Sequence, residues 1–215
     1  MRTLFGLLVV MPLLAACGGA GMASSGGGLG SSFVLEGQIA DWDGSTGKLE
    51  LLAPVTPGVV ASGAVGNDGR FRLEVPDLAG RGALPPMKDQ FVCPSGSDTL
   101  GADLNLMPSA TTGMARSALR TASVQPGGTS HLRLQSAPGV SPALEATYLY
   151  FAADGAVRGT VRCLGPDGER TLRYDLAVQR GWNVVVWREQ GSDLEVYAAQ
   201  ALPQGLLWRP VHGDH

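Results

Sequence analysis

The chain has 215 residues, of which 31 are Gly and 14 are Pro, and only 16% are charged. A net charge of −3 lacks the basic excess of a nucleic-acid binder, and no nucleic-acid partner is expected. Hydrophobic residues at 44% supply a core and exclude wholesale disorder, while the shortage of Lys and Glu beside so much Gly and Pro excludes long helices.

Residues 1–17 read MRTLFGLLVVMPLLAAC. Arg2 precedes an apolar stretch from Leu4 to Leu14, which is shorter than the ~20 residues of a bilayer span and has the pattern of an export signal. Leu14-Ala15-Ala16-Cys17 resembles the lipobox of bacterial lipoproteins at every position. That resemblance implies that residues 1–16 are a signal peptide cut after Ala16 and that the Cys17 thiol carries diacylglycerol. It further implies an exported protein, lipid-anchored in the cell envelope and partnered with the membrane through its anchor. Gly18 stands where an Asp resembles an inner-membrane retention signal, so the implied address is an outer membrane where the cell has one. Residues 18–32, GGAGMASSGGGLGSS, read as a flexible Gly/Ser tether with a reach of ~20–23 Å.

Residues 33–76 alternate in strand fashion and predict a small β-sandwich-like part. Phe33, Leu35 and Ile39 share one parity; Leu49 and Leu51 alternate with Lys48 and Glu50; Val59, Ala61 and Val65 follow a Pro-rich break. Asn67-Asp68-Gly69 is a hairpin signal, after which Phe71, Leu73 and Val75 alternate with Arg70, Arg72 and Glu74. The stretch ASGAVGNDGRFRLEVP resembles the ending of prealbumin-like and carboxypeptidase-regulatory-like β-domains. That resemblance implies a module that is mostly non-catalytic, a spacer or adhesion part.

Scattered prolines mark residues 77–144 as a loop-rich connector with short strands. Leu104 to Met107 and His131 to Gln135 read as strands, and Met114 to Thr121 as one or two helical turns. Residues 145–211 predict an antiparallel β-meander, with turns at Ala153-Asp154-Gly155 and Gly165-Pro166-Asp167-Gly168. Gly181-Trp182-Asn183-Val184-Val185-Val186-Trp187 is apolar on both faces, as a fully covered strand would be. Asp175 to Val185 resembles a D-L-x-x-x-x-G-W-N-x-V pattern of uncharacterised bacterial envelope lipoproteins, which implies no chemistry. The fold class is therefore all-β, and residues 212–215 are read as a disordered tail.

With Cys17 assigned to lipid, Cys93 and Cys163 remain as a pair in a disulfide-permissive compartment, and a bond between them is expected over two separate buried thiols. Asp41-x-Asp43-Gly44 starts like a calcium loop, but Ser45 and Leu52 occupy its fifth and twelfth positions, so a hydrogen-bonded turn is expected. His212 and His215 lie in the last four residues without fixed geometry, and neither a metal site nor a cofactor is expected. His131 is the one non-terminal histidine, and G-x-S-x-G, H-E-x-x-H and P-loop motifs are absent from the sequence, so no catalytic residue is assigned. A binding surface is drawn on Tyr148, Tyr150, Arg158, Arg162, Arg173, Trp187 and Tyr197, if they share the outer face of one sheet, for an envelope protein or glycan partner. The expected function is non-catalytic binding or scaffolding. A carrier of lipid or apolar ligand is the alternative, marked by an apolar cavity between sheets. A hydrolase is the next, marked by His131 converging with carboxylates in a cleft.

Overall fold

The computed structural model describes residues 28–55, 58–94, 96–122 and 129–211; residues 1–27, with the expected signal and Cys17, and residues 212–215 lie outside them. The described chain is all-β. Apart from one 3-10 turn (Met87–Asp89), its regular elements are fifteen strands hydrogen-bonded into one sheet.

The first half uses β2 (Phe33–Gln38), β3 (Gly47–Leu52), β4 (Val59–Val65) and β5 (Arg70–Val75), the four strands expected from the alternation. The β4–β5 hairpin turns at Asn67-Asp68-Gly69, where Gly66 N donates to Arg70 O at 2.9 Å and Gly69 takes φ of 77°, a conformation open to Gly. To these the chain adds β8 (Ala118–Ala122), β9 (Thr129–Gln135) and β15 (Leu207–Val211), in the order β2-β5-β4-β3-β8-β9-β15. Ile39 then bridges to Trp208 in parallel, and Ala40 N donates to Trp208 O at 2.7 Å, which returns the last strand to the first and closes a ring. Inside lie Leu35, Leu49, Leu51, Phe71, Leu73, Leu119, Leu132 and Trp208.

The second half runs β10 (Leu144–Phe151), β13 (Gly181–Gln190), β14 (Asp193–Ala199), β12 (Gly168–Val178), β11 (Gly155–Gly165) and β6 (Asp98–Met107), in that order. Its core gathers Leu149, Phe151, Val157, Val161, Leu172, Leu176, Val185 and Val196, with Met87 and Phe91 laid over them from the segment before β6. Two strands belong to both cores. On β10, Ala146, Tyr148 and Tyr150 enter the first core while Leu149 and Phe151 enter the second; on β13, Trp182, Val184 and Val186 alternate with Val185 in the same way. Successive side chains on a strand point to opposite faces, so a strand between two cores is apolar on both, and its polar exception, the fully buried Asn183, is hydrogen-bonded to the backbone of Gln179 and Gly181. This is the physical content of the GWNVVVW run.

The all-β reading holds, and the detail of three segments differs from expectation. Residues 145–211 are not a purely antiparallel meander: β12 and β14 pair in parallel, β13 lies between β10 and β14, and β15 leaves to join β9 in the first half. Residues 77–144 are more than a connector, since β6 covers β11 along its whole length while β8 and β9 complete the ring. Met114 to Thr121 is not helical. It forms β7 (Met114–Arg116), paired with β10, and then β8, paired with β3, so one extended segment passes from one half to the other. From Ala115 to Thr121 buried residues recur at every second position, the period of a strand and not of a helix.

The tether is also shorter than expected. Gly28–Gly30 forms β1 on β13, with Gly28 opposite Asn183 and Gly30 opposite Trp182. Close approach demands Gly on both strands: a Cβ at Gly181 would meet Gly30 O at 2.4 Å, and one at Gly28 would meet Gln179 Oε1 at 2.2 Å. A Gly-rich string reads as flexible in isolation, but here its bare backbone fits where side chains could not.

Candidate functional site

The predicted binding residues do not share a face. Tyr148 and Tyr150 are buried in the first core, 3% and 2% exposed, because β10 has cores on both sides. Tyr148 stacks near Phe33 and Trp208, and burial pushes its hydroxyl pKa upward. Tyr150 donates to the Asp77 carboxylate; burial first, and then that bond, pushes its pKa up to about 12. Neither tyrosine is available to a partner, and the surface drawn through them is corrected.

Arg158, Arg162 and Arg173 do lie exposed on the outer side of β11 and β12. Each faces a carboxylate: Asp175 at 3.4 Å, Glu169 at 3.4 Å and Asp193 at 2.9 Å respectively. These are cross-strand pairs of a solvated sheet face. Tyr197 packs against the first core with Arg188 over its ring at 5.6 Å. Trp187 turns the other way, toward the second core.

Cys93 and Cys163 are joined, S–S 2.08 Å, with Cα atoms 5.6 Å apart. The bond ties the segment carrying Met87 and Phe91 to β11 and so holds the cover of the second core in place. The Asp41–Gly44 stretch is a turn, with Ser45 N donating to Asp43 Oδ1 at 2.9 Å and Trp42 Nε1 to Ser45 O at 2.7 Å. No cluster of metal-ligating side chains occurs among the described residues. Cys17 and the terminal His212 and His215 lie outside them.

A groove of about 980 Å³ runs along the seam between the two halves. Strands from both halves supply its walls: β8 and β9 on one side, β10, β12, β13 and β14 on the other, with the 89–94 segment and the 137–143 loop as lips. Its most distinctive group is Arg116, at the end of β7. Met114 on the same strand points into the second core, so by the period of two Arg116 points to the same side, at the mouth of that core. Its guanidinium carbon lies 5.0 Å from the centre of the Trp187 ring, a cation–π arrangement.

Arg116 is exposed at the groove mouth, and its side chain has no hydrogen-bond or ion-pair partner among the described residues. Desolvation by the groove walls pulls its pKa below the ordinary value, with Tyr174 and Glu145 acting against that pull. The guanidinium stays cationic at neutral pH all the same. Tyr174 lines the groove too, its ring edge-on to Phe91 at 5.2 Å and its hydroxyl donating to no described residue. Burial pushes its pKa up to about 12, and the residue stands level with Trp187, since both pair with Val196 of β14.

Arg133 reaches Glu145 at 3.7 Å across the same groove. His131 lies on the wall, exposed, and makes neither a hydrogen bond nor an ion pair among the described residues. No carboxylate orients it, so a base held by an acid is not assembled there. The groove was not visible from sequence because its key contacts join residues 116, 174 and 187, on three strands far apart in the chain. The available signal was modest: Arg116 stands in an otherwise small, apolar segment.

No protein-family model, curated protein or solved structure matches this chain.

Proposed function

We propose that this chain is an exported envelope protein, held by acyl chains on Cys17, whose β-rich body binds a ligand in the groove between its two halves and performs no chemistry on it. The anchor rests on the resemblance of residues 14–17 to a lipobox. The binding reading rests on one observation: Arg116 is stacked on Trp187 in a groove walled by both halves and has no anionic partner among the described residues. An exposed guanidinium held over a Trp ring, with no carboxylate of the described residues paired to it, leaves its N–H fork open to a ligand anion. The outer-face arginines are matched already and offer no comparable vacancy.

The test uses residues 18–215, which keep every core side chain. This protein is incubated with an envelope extract, washed and weighed by native mass spectrometry, beside Leu194→Trp, which fills the groove, and Arg158→Ala, which alters the outer face. The expected result is an adduct on the parent and on Arg158→Ala, reduced at least tenfold on Leu194→Trp. No adduct on the parent, or one that survives Leu194→Trp, overturns the reading.

A further inference from the structure

Resting on that reading of the groove, we propose that its occupant is an amphiphilic carboxylate, with one carboxylate head held by Arg116 and Tyr174 and an apolar chain lying along Leu172 and Leu194 between the lips Val92 and Val140. The head follows from donor chemistry. Arg116, over Trp187, offers a planar fork of N–H donors, and the Tyr174 hydroxyl adds one neutral donor in the same groove, on a residue that faces Val196 of β14 from one side as Trp187 does from the other. A carboxylate has two oxygens to accept both.

Charge selects a single head over a polyanion. The groove is lined by Arg116, Arg133 and Arg170 against Asp89, Glu145 and Glu189, so it carries no broad positive field. Arg133 already has Glu145 at 3.7 Å. Arg170 stands four residues from Tyr174 on β12, about 13 Å along the strand, too far to close on the same head. One unpaired cation at one point matches one negative charge.

The apolar body follows from the lips and the floor. Val92 is 55% exposed and Val140 50% exposed, and both line this groove, from opposite segments. Leu172 and Leu194 continue the apolar surface inward to the second core. Exposed aliphatic side chains facing each other across a groove favour an apolar occupant. Trp187 cannot supply a stacking platform for a sugar in addition, since Arg116 already covers its ring. That weighs against the glycan suggested by aromatics and arginines sharing a sheet face.

The test is calorimetric titration of residues 18–215 with sodium decanoate below its aggregation threshold, with 1-decanol (chain without charge) and sodium acetate (head without chain) as comparisons. Decanoate should bind at least tenfold more tightly than either. Arg116→Gln should weaken decanoate at least tenfold and leave decanol unchanged. Tyr174→Phe should weaken decanoate severalfold, and Arg158→Gln should change nothing. Unchanged thermal melts would show that the variants fold. Equal binding of decanoate and decanol, or full decanoate affinity in Arg116→Gln, overturns the proposal. If decanoate fails to bind but the extract adduct still depends on Leu194, the ligand class falls and the groove reading stands. If a peptide with a free apolar carboxy-terminus competes where decanoate does not, the occupant is a protein end and the acyl-chain assignment is wrong.

Discussion

The first half of the molecule returns its last strand to its first through Ile39 and Trp208, whereas the second half ends on β6, which pairs only with β11 among the described residues. The ring needs no outside help to cover its core. The open half needs a cover, which the chain supplies from Met87 and Phe91 and fastens with the Cys93–Cys163 bond. Both halves carry cross-strand ion pairs on their outer faces. Glu50, 8% exposed on the ring, is held by Lys48 at 2.9 Å and Arg120 at 2.6 Å, while the open half keeps an unpaired Arg116 at its mouth. Closure satisfies every strand edge and leaves little for a ligand; an open end, bolted at one side, leaves a groove. The β6 edge alternates Leu100, Ala102, Leu104 and Leu106 with polar residues, and Asp98 and Asp103 on it discourage pairing with a second chain.

The sharpest way to break this comparison is at the strand both halves share. Trp182 is fully buried, donates from Nε1 to Pro76 O at 2.9 Å and meets Phe33 and Tyr150 edge-on. Trp182→Ala should cost about 5 kcal/mol, the upper end for such truncations, because a hydrogen bond goes with the ring. Urea unfolding should remain a single transition, since β10 and β13 serve both cores. Two separated transitions would mean that the halves are independent domains.

Reducing the disulfide comes next. For a separation of 70 residues, loop closure gives about 4 kcal/mol before strain. The loss should be local as well as global: hydrogen exchange should rise across 85–97 and β11 well before it rises across β2–β5. Equal acceleration in both halves would remove the distinction between a bolted half and a closed one.

On the ring, Glu50→Gln should cost about 2 kcal/mol at neutral pH, the range for hydrogen bonds to a charged group. Hydrogen bonds from Lys48 and then Arg120 lower the Glu50 pKa below its ordinary 4.5. A carboxyl with a lowered folded pKa contributes fully above the ordinary value and loses that contribution as pH falls through the lowered one. Stability of the parent should therefore decline in acid more steeply than that of Glu50→Gln, measured by urea midpoints across a pH series. Parallel curves would show that the pair is not coupled to folding.

The smallest effect is expected at Tyr150→Phe, about 1 kcal/mol, from the lost hydroxyl donor to Asp77. That donor is the leading reason the Asp77 pKa is lowered, so its contribution too is present above the ordinary 3.8 and fades in acid. The variant should keep its groove intact, and decanoate titration should be unaffected. A change there would connect the first core to the groove.

Much of the ring was legible in the residues themselves. Strands β2 to β5 have one wet face, so Arg70, Arg72 and Glu74 alternate with Phe71, Leu73 and Val75, and the sequence writes that period openly. Gly69 marked the hairpin because only its φ suits the turn. The Cys93–Cys163 pair followed from counting thiols in a chain read as exported. The GWNVVVW run announced a strand covered on both faces, although not what covers it.

Parity along β10 established that Tyr148 and Tyr150 share a side, but local pattern carries no information on whether that side is wet. Only the packing of β10 against the ring decided that they are core and not surface. The same holds for Gly28–Gly30, flexible by composition and strand by virtue of a backbone slot beside β13. It holds for the parallel β12–β14 pair, which no turn signal encodes because the strands are not joined to each other directly. And it holds for Arg116 over Trp187: a contact between residues 71 positions apart depends on three-dimensional strand order, and strand order is set by the summed burial of two cores, not by any short stretch of chain.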